Sequence, residues 1–168
     1  MKILLLLVLV LGSAHSHGSH EDCLQKINGF RAEWANKYNV SNMNELEYDE
    51  KIETAVREEI AKLEHCSERS VEYSVNMKIY VNVPREEEQM EFASPAGDTM
   101  VACVKSECNG KEIFSFGLDK GSLKTKRIRG PAGTKCSSDR VATPQGMCTR
   151  PKGNQKSGKS WKYEGRRG

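Results

Sequence analysis

The chain has 168 residues, 37% hydrophobic and 29% charged, with 14 Gly and 5 Pro. This leaves room for one ordinary domain plus a tail and excludes collagen-like, fully disordered and multi-spanning membrane classes. A formal net charge of +3 conceals a division: residues 21–119 hold 21 acids and 11 bases, whereas residues 120–168 hold 2 acids and 14 bases. The front is −10 and the back +12, which bears on solubility and partners rather than on fold.

Lys2 precedes nine unbroken apolar residues, Ile3 to Leu11, and then a small and polar run from Gly12 to Ser16. This is the pattern of a secretory signal peptide over residues 1–16. Nine residues at about 1.5 Å rise fall far short of a hydrocarbon core of roughly 30 Å, so no transmembrane segment is expected and the mature chain from His17 is expected to be soluble and secreted. It keeps six cysteines, Cys23, Cys66, Cys103, Cys108, Cys136 and Cys148, an even number that suits three disulfides in an exported protein. The pairing is open, although the short separation favours Cys136–Cys148. A metal site is not expected, because there is no C-x-x-C pair and His17, His20 and His65 do not complete a zinc spacing.

Leu24, Ile27, Phe30, Trp34 and Tyr38 step by three and four, predicting an amphipathic helix from about Asp22 to Tyr38. A second helix is predicted to start at Asp49, a good N-cap, with Ile52, Ala55, Val56, Ile60 and Leu63 on one face. From Val71 to Val83 every odd position is apolar, or tyrosine at 73, which predicts one long half-buried strand ending at Pro84. A short acidic helix is predicted over Arg85–Phe92. The runs Thr99–Cys108 and Lys111–Leu118 flank Asn109-Gly110, the pair suited to a type I′ turn. A two-residue loop then pairs Cys103 with Phe116 and Val101 with Leu118 on the core face, with Cys103 a buried half-cystine. Beyond Lys120 the apolar periodicity ends. The expected organisation is a signal peptide at 1–16, an α+β body at 17–119, a cysteine-tethered loop region at 120–149 and a disordered basic tail at 150–168.

Three blocks carry a family resemblance. Asn28, Arg31 and Ala35 on the first helix, followed by Met43, Leu46, Tyr48, Asp49 and Ile52, resemble the opening of the secreted CAP superfamily of cysteine-rich secretory, antigen and pathogenesis-related proteins. Thr99 with Cys103 and Cys108 resembles a central-sheet strand of that family. Gly130, Pro131, Gly133, Thr134, Lys135, Cys136 and Ser137, with Gly146, Met147 and Cys148, resemble the cysteine-tethered extension of nematode members. The resemblance implies a small disulfide-bonded α-β-α sandwich, shortened, because only about 30 residues separate Cys66 from Thr99. It also implies a non-enzymatic extracellular binding protein whose partner is a protein, a lipid or a glycan. The family's cavity tetrad of two histidines and two glutamates has no counterpart here, and its Gly-Glu-Asn and His-Tyr-Thr-Gln motifs are missing, so no metal or cofactor is expected.

Catalytic constellations are weak. His65, taken as the one histidine of the folded body, sits beside Cys66 at a helix end and suits a structural role. Glu86, Glu87, Glu88 and Glu91 lack a calcium-loop spacing and suit a solvated face. Residues 153–160 spell a P-loop but follow no buried strand, so no nucleotide is expected. Arg150, Lys152, Lys156, Lys159, Lys162, Arg166 and Arg167 are the candidate contacts for an anionic partner. The alternative function is accordingly a small secreted inhibitor or a cationic antimicrobial or glycan-binding effector. Asn39-Val40-Ser41 is the one N-glycosylation sequon, placed between the two helices.

Overall fold

A computed structural model describes residues 16–65, 69–74, 76–83, 94–121 and 125–151, with side chains from His20 onward. Two helices, α1 (Ser16–Lys37) and α2 (Glu50–Ile60), flank a five-stranded mixed sheet. Its strands are β1 (Glu47–Tyr48), β2 (Ser70–Tyr73), β3 (Met77–Val81), β4 (Met100–Cys108) and β5 (Lys111–Asp119), in the order β1-β4-β5-β3-β2. β1 runs parallel to β4 and all other pairs are antiparallel. Two short strands, β6 (Val141–Ala142) and β7 (Cys148–Thr149), form a separate ribbon. The fold is α+β.

The β4–β5 hairpin has the register that its turn dictates, Cys103 opposite Phe116 and Val101 opposite Leu118. Asn109 (φ 52°) and Gly110 (φ 73°) supply the two left-handed residues that a type I′ turn requires. Alternation along the pair fills both faces. Val101, Phe116 and Leu118 join Tyr80, Leu46, Cys23 and Ile27 in the cluster beneath α1, with Cys103 only partly buried at its edge. Ala102 and Val104 join Ile79, Val81, Ile52 and Val56 in the cluster beneath α2. Two covered faces make a three-layer α-β-α sandwich, so the strands carry apolar residues on both sides rather than on one.

The face of α1 differs from the one the apolar spacing predicts. Cys23, Ile27, Asn28, Arg31, Ala32 and Ala35 are the buried positions, while Leu24, Phe30 and Trp34 pack from the flanks and Tyr38, past the helix end, is 43% exposed. The reason is that Asn28 and Arg31 bury their polar groups on backbone partners and alanines permit close approach. The large rings then line up along the side, Phe30 to Trp34 at 5.6 Å and Trp34 to Tyr38 at 4.2 Å between centroids. The helix also starts six residues before Asp22, at Ser16.

The long strand expected at 71–83 is two strands. The backbone N–H and hydroxyl of Ser74 bracket Met77, closing a turn, and β2 folds back antiparallel on β3. Val71 and Tyr73, expected inside, lie on this outer strand at 45% and 64% exposure. Asn82 then takes a left-handed φ of 53°, ending β3 before Pro84. The expected acidic helix at Arg85–Phe92 lies outside the described residues.

α2 begins as expected, with the Asp49 carboxylate accepting from the backbone N–H of Lys51 at 2.7 Å. Asp49→Ala is expected to lower stability by about 1 kcal/mol, the usual cost of a lost N-cap acceptor, read as a shift in the denaturant midpoint without change in slope.

The loop region from 125 onward packs into the body. Met147 and Ala132 pack with Val40, Met43, Ala35 and Ala96 in a third cluster, and Cys148 is fully buried. Cys23 is bonded to Cys103, tying α1 to β4, and Cys136 is bonded to Cys148 across the β6–β7 ribbon. Cys108 is disulfide-bonded as well, and no described cysteine is free. Cys66 lies outside the described residues.

Candidate functional site

Three groups of charged side chains are the candidates. The first is interior and centred on Arg31, which is fully buried. Its Nε and Nη2 donate to the carbonyl of Asn44 at 3.0 and 2.8 Å, Nη1 to Pro95 at 3.1 Å and Nη2 to Asp98 at 3.4 Å. Burial pulls the guanidinium down to about 10, opposed by Asp98 and Asp119, so it stays charged at neutral pH. Asp98 faces Lys78, whose Nζ lies 3.1 Å from Oδ2, and burial pushes its carboxyl up in spite of that partner. Asp119 accepts from the backbone of Thr99 and Met100 and from the Thr99 hydroxyl, at 2.7, 2.9 and 2.6 Å. Next to Arg31, Asn28 donates to the Leu46 carbonyl at 3.0 Å and accepts from its N–H at 2.9 Å. Asn28 and Arg31, two of the three α1 residues that carry the sequence resemblance, thus hold the 44–46 and 95–98 segments against the helix.

The second group joins α1, β1 and α2. His20 stacks on Tyr48 with centroids 4.1 Å apart and places Nε2 3.1 Å from the Glu53 carboxylate. The Tyr48 hydroxyl donates to Glu53 at 2.7 Å, and Arg57 donates to the other carboxylate oxygen through Nε at 2.9 Å and Nη2 at 2.6 Å. His20, which lies ahead of the helix start predicted at Asp22, is therefore packed into the folded body, and His65 is not its one histidine. His65 is exposed. Burial and the Glu53 contact raise the Tyr48 phenol. Burial alone would raise Glu53, but the hydrogen bonds from Tyr48 and Arg57 and the Arg57 charge outweigh it and hold the carboxyl below its usual range.

A depressed carboxyl binds its proton less readily folded than unfolded. Its stabilisation is present above the unfolded value of about 4.3 and is lost as pH falls through the lower, folded value. Glu53→Gln is therefore expected to lower the melting temperature at pH 7 and to flatten the acid limb of the stability profile below about pH 4.3, measured by thermal scans across pH. An acid limb as steep as the parent's would remove Glu53 from that role.

The third group is cationic and lies on the loop region. Lys126, Arg127, Arg129 and Lys135 are exposed, whereas Arg140 is buried and donates to the carbonyls of Cys148 at 2.9 Å and Glu45 at 3.4 Å. Arg150, expected to be a free cation at the start of the tail, is partly buried and reaches Glu47 at 3.5 Å. Lys152, Lys156, Lys159, Lys162, Arg166, Arg167 and the P-loop-like stretch lie outside the described residues. Asn39 is exposed just past α1 with φ 52°, while the Ser41 of its sequon is buried and donates to the Ile128 carbonyl at 3.0 Å. Among the described residues no cluster of His, Cys, Asp and Glu has metal-site geometry, and no helix is long and apolar enough to cross a membrane.

Among solved structures, the chain is similar to the hookworm platelet inhibitor, with a TM-score of 0.55 and 13% identity over 80% of this chain and 91% of that one. That protein is a nematode member of the CAP family. The fold is a divergent, shortened CAP-like fold. The structure of Na-ASP-1 also aligns, with a TM-score of 0.47 and 12% identity over 82% of this chain but 48% of that one. No family model matches the sequence, and no curated protein does either.

Within the CAP-like frame, sequence reasoning found Asn28 and Arg31 as markers but gave no role for them. It also looked for the cationic surface in the tail. The signal for exposed cations in the loop region was present in the chain, since every ionisable residue from Lys120 to Lys135 is a base and the first acid is Asp139.

Proposed function

We propose that the chain is a secreted, non-enzymatic CAP-like protein that acts by binding an extracellular partner. In this reading residues 1–16 are the signal peptide, 17–119 the body, 120–149 the cysteine-tethered region and 150–168 a basic tail. Asn39 carries a glycan, and the family's His/Glu cavity tetrad has been lost. One observation carries it: the chemistry-bearing side chains of the body, Arg31, Asp98, Lys78, His20, Tyr48 and Glu53, are engaged in holding elements together, while Lys126, Arg127, Arg129 and Lys135 of the loop region face solvent. Structural use of the interior groups leaves the surface as the place of action. The similarity to a platelet inhibitor supports it further, because inhibition by occupying a surface requires no turnover.

A second reading, a cationic inhibitor or antimicrobial effector acting through the tail, rests on the six bases beyond Pro151. The test for the first is secretion from a eukaryotic host with the native leader, followed by intact mass and alkylation with and without reduction. The expected product lacks residues 1–16, shows no thiol before reduction, and captures its extracellular partner reversibly with the partner's mass unchanged. A retained leader, two or more labelled cysteines, or a chemically altered partner would overturn it. Loss of all binding on deletion of 152–168 from a folded protein would favour the second.

A further inference from the structure

The segment from Lys126 to Arg129 is held in place by the buried residues 40–42. The side-chain amide of Asn42 donates to the carbonyl of Lys126 at 2.9 Å and accepts from the N–H of Ile128 at 2.9 Å. Like a neighbouring strand, it thereby fixes residues 126–128 as extended backbone. The Ser41 N–H and hydroxyl both donate to Ile128 O, at 2.9 and 3.0 Å, Val40 bridges Arg129, and the N–H of Lys135 donates to Ser41 O at 3.0 Å. Val40 and Ser41 are fully buried and Asn42 is 7% exposed, so this anchor belongs to the body of the protein.

The side chains that the anchored segment presents are cationic. Lys126, Arg127, Arg129 and Lys135 are exposed, and among the described residues none is paired with a carboxylate. Extended geometry puts Arg127 and Arg129 on one side about 6–7 Å apart, with Lys126 on the other. Holding like charges at fixed spacing costs free energy that a polyanion would recover, and a backbone already ordered loses little entropy on binding. Arginine adds a planar fork that matches tetrahedral oxyanions in bidentate fashion.

We propose that this anchored strip is a binding site for a linear sulfated glycan, the extracellular polyanion whose repeated sulfates would meet Arg127 and Arg129 on one side, with Lys126 and Lys135 adding to the positive field around them. The proposal rests on the extracellular reading above for its choice among polyanions. Stable anchoring on a membrane surface adds apolar insertion to charge, and the segment offers only Ile128, 39% exposed. Single-stranded nucleic acid would use stacking rings, and the segment has none.

The test uses the full-length protein with heparin as probe, measured by affinity elution and by titration over a range of salt. A strip variant carrying Lys126→Ser, Arg127→Ser, Arg129→Ser and Lys135→Ser is compared with a tail variant in which the six bases beyond Pro151 become Ser. The expected result is that the strip variant loses about tenfold or more in affinity and that its dependence of log K on log salt becomes shallower by about three, while the tail variant keeps a steep dependence. Circular dichroism of the strip variant should match the parent and its melting temperature should stay close, since all four side chains are exposed and the one interior contact given up is the long hydrogen bond from Arg127 to the Ser94 hydroxyl at 3.4 Å. Arg127→Lys with Arg129→Lys should weaken binding although charge is kept, and desulfated heparin should not bind. Equal heparin affinity of strip variant and parent would overturn the proposal, as would tighter binding of the parent to phosphatidylserine vesicles or to a single-stranded oligonucleotide. Failure of export in the mass experiment, with heparin binding intact and strip-dependent, would overturn the extracellular reading and leave the site standing.

Discussion

Arg31→Met is expected to destabilise the protein by about 3–5 kcal/mol, a large share of the roughly 5–15 kcal/mol by which an ordinary domain is stable. Methionine matches the aliphatic stem, so the loss isolates the guanidinium. That group donates to the carbonyls of Asn44, Pro95 and Asp98; Pro95 keeps the Asp98 N–H at 3.4 Å, whereas the buried Asn44 and Asp98 carbonyls would lose the guanidinium. Each unpaired buried acceptor costs about 1–3 kcal/mol, and Asp98 and Asp119 would lose the cation whose charge they oppose. Arg31→Lys is not expected to rescue, because one ammonium cannot span carbonyls on two segments as the fork does. Denaturant titration measures the loss. A midpoint shift worth less than about 1 kcal/mol would mean that water replaces the guanidinium without difficulty.

The second large effect is expected at Gly117, on β5 beneath α2. A Cβ there would lie 2.5 Å from Ile52 Cγ2 and 3.0 Å from Val56 Cγ2, both on the buried face of the helix. The backbone of β5 and the helix are in direct contact, so Gly117→Ala forces them apart and is expected to cost at least the usual 1–3 kcal/mol of overpacking. Ile52→Ala removes the nearer methyl. The double variant should therefore be less destabilised than the sum of the two single variants by about 0.5–3 kcal/mol, a coupling that a cycle of four melts reads directly. Strict additivity would show that the strand and helix do not meet at this glycine. Gly117→Ala should leave heparin binding unchanged in protein that remains folded, because the anchored strip is held by a different set of contacts, at residues 39–42.

What the sequence determined by itself was written in short spans. Asn109-Gly110 set the turn, and a two-residue turn leaves one register for the strands it joins, so the pairing of Cys103 with Phe116 followed from local chemistry. Asp49 before an apolar run set the start of α2 in the same way. The count of charges along the chain was enough to locate its cationic half. The tertiary structure decided everything that depended on distant partners. Arg31 reads as a surface base on α1 until its acceptors, 13 and 64 residues away, close around it. The alternating run at 71–83 is consistent with one strand or with two, because period-two alternation does not mark where the chain turns back; Ser74 closing on Met77 decided it. The cations at 126–135 resemble those of the tail in composition, and it is Ser41 and Asn42, folded beneath them, that fix their place. Composition sums charges along the chain, whereas fixing them in space takes hydrogen bonds to residues more than 80 positions away.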